Sequence, residues 1–335
     1  MAPVEKAKGA LPGEFTLIEE IFAPLASDAP EAFALKDDAA LYRASEGYET
    51  VLTVDAIVAG VHFLPDDPPE SVARKLLRVN LSDIAAKGAT PKGYLLVTAW
   101  TDDTCFDWIK RFAAGLAEDQ ERYGISLWGG DTVRTSGPLT LSLTAIGELP
   151  QGTMLLRGGA HPGDDIYVSG TLGDAALGLE VLRTRLGELS REDAVHLVRR
   201  YREPEPRCSL GPRLRGVASA SLDVSDGVVA DLGHLCGQSG TGARIEMDRL
   251  PLSDAARRAV EGQPELLQLI VGGGDDYEIL FAAPPERARQ VAAAAAEASV
   301  SVTRIGEVRE SGEGVRLVDR AGQPIPLKQL GYRHF

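Results

Sequence analysis

The sequence predicts an α+β protein of two domains. Each is built on a mixed or antiparallel sheet with helices packed on one side, the C-terminal one as an α+β sandwich. Three observations carry this. A chain of 335 residues exceeds what a single hydrophobic core usually serves. Strand-like and helix-like segments mix in both halves without a strict βαβ order and without an internal repeat. Near residue 150 the composition shifts to glycine and proline in PQGTMLLRGGAHPGDD, the kind of stretch in which linkers fall, dividing the chain into 1–150 and 151–335.

The elements follow in order. EFTLIEEIFAPL sets Phe15, Ile18, Phe22 and Leu25 at helical spacing. TVLTVDAIV is short and β-branched, a strand carrying Asp55. ESVARKLLRVNLSDIAAKGAT reads as a helix with Leu76, Leu77, Leu81 and Ile84 inward, stopped near Gly88 and Pro91. GYLLVTAW is a strand, CFDWIKRFAAGLAEDQERYG a long helix, ISLWGGDT a strand running into a glycine turn, and LTLSLTAIGEL a further strand. In the second half come strand DIYVSG, helix DAALGLEVLRTRL and a polar connection YREPEPR. Strand SLDVSD leads into helix GVVADL, followed by strand ARIEM, helix ELLQLIV, turn GGGDD and strand YEILFAA. Helix PPERARQVAAAAAEA and strand SVTRIGEV complete the order; the alanine run is helical, alanine being the best helix former.

Composition narrows the function classes. The net charge is −14 and the pI about 4.9, with no long Lys/Arg cluster, which argues against a nucleic-acid partner. No apolar run approaches the roughly 20 residues that span a bilayer. The start MAPVEKAKGALPGEF lacks an apolar signal-peptide core. Cys105, Cys208 and Cys236 form no CxxC pair, so neither a disulfide framework nor a structural zinc site is expected, and a reducing cytoplasm is.

The chemistry lies in the acids. Asp37 and Asp38, Asp55, Asp83, Asp131, Asp223 and Asp226, and Asp275 and Asp276 all sit beside small or apolar neighbours at strand ends, glycine turns or helices. Buried charge is costly without a partner. Many separated aspartates with few histidines suit a hard divalent cation such as Mg²⁺, which takes carboxylates together with substrate phosphates. Each acid alone also has a plainer reading: Asp226 as a helix N-cap, Asp231 as a solvent-facing or capping acid. Arg157 is either a phosphate contact or a surface ion-pair partner. His62, between Val61 and Phe63, is by itself more a core residue than a ligand. P-loop, Rossmann and protein-kinase signatures are absent, and no Ser-His-Asp or Cys-His arrangement is defensible from spacing.

The ordered set GEFTLIEEIF, DDAAL, VDAIVAGVHF, NLSDIAAKGATP, GGDT, RGGAHPGDDIYVSGTLGDAALGL, EPRCSLG, DVSDGVVADL and GGDDYEILF resembles the thiamine-monophosphate kinase family, within the superfamily of aminoimidazole ribonucleotide synthetase and selenophosphate synthetase. The resemblance runs from Gly13 to the final GYRHF. It implies ATP- and Mg²⁺-dependent phosphorylation of thiamine monophosphate to thiamine diphosphate. It also implies a homodimer whose N-terminal sheets pair into a barrel, ATP and several Mg²⁺ ions on the N-terminal domain, and a C-terminal domain completing the site. By position it implies metal ligands at Asp38, Thr53, Asp55, Asp83, Asp131, Asp223 and Asp226. ATP contacts fall at Gly130, Asp131, Arg157 and Ser225, and substrate contacts at His62, Asp275 and Gln329. Four positions depart from the family: Lys36 replaces a glycine, Val54 a threonine ligand, Asp275 a glutamate, and Gln329 an aromatic whose stacking would fall to Tyr332 or Phe335. Two other readings fit the acids: another ATP-using enzyme of the superfamily, or a non-catalytic Mg²⁺ or nucleotide sensor. The first is disfavoured in its selenium-handling form, because KAKGALPGEF has no reactive cysteine.

Overall fold

A computed structural model describes residues 11–187, 189–327 and 331–332. The chain folds as two compact units, residues 1–80 with 91–148, and residues 81–90 with 149–335.

The first unit opens with a helical stretch that changes pitch: α1 (Glu14–Leu17), a π-turn over Ile18–Phe22 and a 3₁₀ turn over Ala23–Ala26. Leu17, Ile21, Phe22 and Leu25 are buried there, while Phe15 is 83% exposed, so the inward stripe does not include Phe15. The change of pitch turns it away. The sheet is formed by β1 (Tyr48–Val58), β2 (Thr90–Trp100), β3 (Ser126–Arg134) and β4 (Thr140–Pro150), in the order β1-β4-β2-β3. β2 and β3 run parallel with a bulge at Tyr94/Leu95. Alternation along β2 buries Tyr94, Leu96, Thr98 and Trp100 and exposes Leu95 and Val97. Helices α2 (Pro69–Ala86) and α3 (Phe106–Tyr123) belong to the buried side: Trp100 meets Phe112 of α3 edge-on at 5.9 Å, and Asn80 of α2 accepts the Asp55 N–H at 3.1 Å. Leu52, Val54, Leu95, Val97 and Val133 on the opposite side are 38–66% exposed.

GGDT is strand rather than turn. β3 continues through Gly129, Gly130 and Asp131 to Arg134, and the glycine is needed because the strands approach closely. Gly130 has φ +152°, and a Cβ there would stand 1.8 Å from the Leu96 carbonyl oxygen.

In the second unit β5 (Asp165–Ser169), β6 (Ala220–Asp223), β7 (Gly242–Glu246), β8 (Ile279–Ala283), β9 (Val302–Arg309) and β10 (Val315–Val318) order as β10-β7-β9-β5-β8-β6. Only the β10/β7 pair is parallel. Here the helices cover both faces, not one. Leu280 and Ala282 pack with residues of α6 (Val228–Ser239), whereas Ile279, Phe281 and Ala283 pack with Val291 and Ala294 on the other side. The reason is in ILFAA: with no polar residue in β8, neither face tolerates water. The chain also forms α4 (Asp174–Leu182), α5 (Arg191–Arg202), α7 (Asp254–Gly262), α8 (Leu266–Gly272) and α9 (Ala288–Ala298). Helices α5 and α7 and strand β10 escape the sequence reading; α5 and α7 begin with the serine caps Ser190 and Ser253, which mark them locally. No helix among the described residues is long and apolar enough to cross a membrane.

Candidate active site

Each unit carries its own share of the candidate residues. In the first, Asp38 and Asp131 line one cavity of about 600 Å³, with Gly129 and Gly130 in its wall and Phe22, Leu96 and Trp128 supplying apolar surface. Both carboxylates are exposed to solvent. Asp131 Oδ1 accepts the Thr132 N–H at 2.9 Å, and the Thr132 hydroxyl lies 2.9 Å from that of Thr98, holding the end of β3 in place. Thr53 and Asp55 lie on β1, at the opposite edge of the sheet, with β4 and β2 between them and β3. Three strand spacings amount to about 14 Å, so Asp55 and Asp131 do not share a site within this sheet. Both Thr53 and Asp55 are half-buried, on the face of β1 that also buries Val51 and Ile57.

His62 follows β1 in a tight turn. Its Nδ1 accepts the Val58 N–H at 3.0 Å, which places the ring proton of the neutral imidazole on Nε2, a donor facing away from the backbone. Lys75, only 2% exposed, donates from Nζ to the His62 carbonyl at 2.9 Å and fixes that turn from behind.

In the second unit two carboxylates are forced into each other's field. Asp223 ends β6 and is buried; burial and the neighbouring Asp83 push its pKa well above the usual carboxylate range. Ser82 donates to Asp223 Oδ2 at 2.7 Å, the bond that keeps a charged form tolerable there. Lys87 lies one turn beyond Asp83 and donates from Nζ to the Ser221 carbonyl at 2.8 Å; burial pushes its pKa down, while Asp223 and Asp83 oppose that. Arg157 is exposed and makes no hydrogen bond or ion pair among the described residues.

The segment DVSDG is laced to GGDDYE. Asp275 N–H donates to Ser225 O at 2.9 Å, Tyr277 N–H to Val224 O at 2.8 Å and Val224 N–H to Glu278 O at 2.9 Å. Asp275 (φ 72°) and Tyr277 (φ 52°) both take the left-handed conformation, which is costly for non-glycine residues. Asp276 between them is buried, and its Oδ2 accepts the Gly173 N–H at 2.8 Å. Glu278 is fully buried between Arg200, at 2.9 Å, and Arg207, with Ser169 donating at 2.6 Å. Asp226 does not cap α6; Gly227 occupies that position. The cap-like role belongs to Asp231, whose Oδ2 accepts the N–H groups of Asp226 and Gly227, each at 3.0 Å. Asp231 is buried rather than solvent-facing, and burial pushes its pKa up to about 7. Tyr332 N–H donates to the Asp226 carbonyl at 3.0 Å, bringing Gly331 and Tyr332 onto this loop; Gln329 and Phe335 lie outside the described residues.

Among the described residues no three Asp, Glu, His or Cys side chains converge into a ready-made metal cage. Magnesium does not need one, since it is commonly held by one or two carboxylates plus substrate phosphates. Ser82, Lys87 and Glu278 do not stand out in the sequence. Lys87 was within reach of the helical pattern, four residues after Asp83 and so on the same face.

Residues 36–149 match the family model for the N-terminal domain of AIR synthase related proteins, and residues 161–319 match that for the C-terminal domain. The thiamine-monophosphate kinase of Caulobacter vibrioides is 46% identical over 97% of this chain and 92% of its own length. The chain belongs to the thiamine-monophosphate kinase family.

Solved members of the thiamine-monophosphate kinase family share its architecture. The crystal structure from Stenotrophomonas maltophilia superposes with a TM-score of 0.83 at 37% identity, covering 93% of this chain and 98% of the other. The AaThiL structure complexed with AMPPCP and TMP superposes with a TM-score of 0.76 at 33% identity, covering 96% and 97%.

Proposed function

We infer that this chain transfers the γ-phosphoryl group of ATP to the phosphate of thiamine monophosphate, giving thiamine diphosphate and ADP with the help of magnesium. Beside the family membership, the observation that carries this reading is Asp223, buried at the end of β6 in the field of Asp83, where burial and that neighbouring carboxylate push its pKa up, an arrangement that calls for a cation. Such a hard oxygen donor set fits Mg²⁺.

The residues proposed to hold magnesium are Asp38, Thr53, Asp55, Asp83, Asp131, Asp223 and Asp226. When bound, the metal neutralises charge on the transferring group and its neighbours. Gly130, Asp131, Arg157 and Ser225 are proposed to contact ATP. At Gly130 the absence of a side chain lets β3 lie against the Leu96 backbone, which places Gly130 and Asp131 together in the cavity wall. His62 is proposed to donate from Nε2 to the substrate, and Asp275 to contact it from the loop that Ser225 pins. The acceptor is a phosphate already ionised at neutral pH, so no side chain has to remove a proton. The work of the protein is to position two anions and offset their repulsion.

The apolar outer face of the first sheet supports a homodimer. Leu52, Val54, Leu95, Val97 and Val133 are exposed on one face, and pairing it with its copy about a two-fold axis would remove them from water.

The test is a coupled measurement of ADP release and of thiamine diphosphate by mass. Product appearing only with ATP, Mg²⁺ and thiamine monophosphate together is the expected result. ATP binding without that product would overturn the assignment of the acceptor.

A further inference from the structure

We propose that Lys87 is a nucleotide-binding residue of this chain, its ammonium contacting the polyphosphate of ATP beside the Arg157 guanidinium. The proposal rests on the ATP-dependent reading above.

The backbone brings these groups together. Leu155 N–H donates to the Lys87 carbonyl at 3.1 Å, and Ser221 N–H donates to the Leu156 carbonyl at 2.8 Å. Lys87 Nζ returns to the Ser221 carbonyl at 2.8 Å. These three bonds join the end of α2, the residues leading to Arg157 and the strand that ends in Asp223. Two cations are thereby gathered beside two carboxylates. An ammonium has three donors, and Ser221 takes one of them. Arg157 has no partner among the described residues. Gathering two like charges is unfavourable unless an anion lies between them. The acids beside them, Asp83 and Asp223, are the ones proposed to hold magnesium. Once they hold a divalent cation their charge is spent, and Lys87 and Arg157 are left facing a ligand that must itself be anionic. A polyphosphate has that chemistry, and Arg157 is suited to it by its fork of donors.

The competing role is a mere tie, in which Lys87 serves only to hold β6 through Ser221. The two roles differ in whether charge matters. K87Q keeps a donor for Ser221 and deletes the charge, while K87M deletes both. The experiment is calorimetric titration of the full-length protein with a non-hydrolysable ATP analogue in Mg²⁺, together with thermal melting. Both variants are expected to lose about tenfold or more in analogue affinity, as for a lost charge-assisted hydrogen bond. K87R should retain most of the affinity, and KM for thiamine monophosphate should be unchanged in all of them. Wild-type affinity in K87Q would overturn the proposal and leave Lys87 as a tie. If K87M fails to fold, K87Q and K87R decide the matter. A wild-type protein that binds no analogue at all would instead overturn the ATP-dependent reading, and the proposal with it.

Discussion

Ser82 and Asp223 are joined by a 2.7 Å hydrogen bond across 141 positions of sequence, from the end of α2 to the end of β6. This bond supports a carboxylate that burial and Asp83 both disfavour in its charged form. Ser82→Ala is expected to cost about 1–3 kcal/mol of stability, the range for leaving a buried polar group without its hydrogen-bond partner. It should also raise the Mg²⁺ concentration needed for half-maximal activity. Urea unfolding and a Mg²⁺ titration of turnover check the two effects separately, and an unchanged Mg²⁺ requirement would detach Asp223 from the metal.

Asp55→Asn and Asp226→Asn should each abolish turnover while leaving the circular dichroism spectrum unchanged. Both residues are only half-buried, so a large loss of fold is not expected from an isosteric amide. Near-normal activity in both variants would sink their assignment as ligands.

Gly130→Ala should be among the most damaging single changes in the first unit. The added methyl would meet the Leu96 carbonyl at 1.8 Å, and φ +152° is unfavourable for any L side chain. Backbone on both sides leaves nothing flexible to move. A loss of about 3 kcal/mol or more is expected from overpacking and strain together, read by denaturant unfolding.

Val97→Lys places a charge in the middle of the exposed apolar face of the first sheet, opposite Asp131 in the β2/β3 register. If two copies pair through this face, the variant should run as a monomer in size-exclusion chromatography with light scattering while the wild type runs as a dimer. A wild-type monomer at micromolar concentration would remove the dimer from the account.

Asp276 should make stability fall as pH rises. Burial pushes its pKa well above the usual carboxylate value, so the folded state holds a proton that the unfolded chain releases above about pH 4. Its contribution is fully present below the unfolded pKa and is lost as pH rises through the folded one. Asp276→Asn keeps an acceptor for the Gly173 N–H and carries no titrating proton. Its stability relative to wild type should therefore improve steadily as pH is raised above about 4, where the unfolded carboxylate ionises, in parallel thermal melts. A constant difference across that range would show that Asp276 is not protonated in the fold.

Most of the element order was legible from local pattern. The period of two along β1 and β2 and the period of 3.6 along α2 and α3 are properties of neighbouring residues. So is the repeated placing of aspartates among small and apolar neighbours, which pointed to a cation before any contact was known. Tertiary structure decided the rest, because the deciding partners are distant in sequence. GGDT reads as a turn until Leu96 is brought against Gly130, where the glycine serves close approach within a strand. Asp226 reads as a cap until Asp231 is seen to take the N–H groups of Asp226 and Gly227. Lys87 gains its place only in the fold, where its Nζ meets the Ser221 carbonyl. The sequence by itself determined which residues have the chemistry to bind metal and phosphate. Only the folded chain decided which of them share a field, since a carboxylate's charge, an ammonium's free donors and a glycine's necessity depend on what stands a few ångströms away.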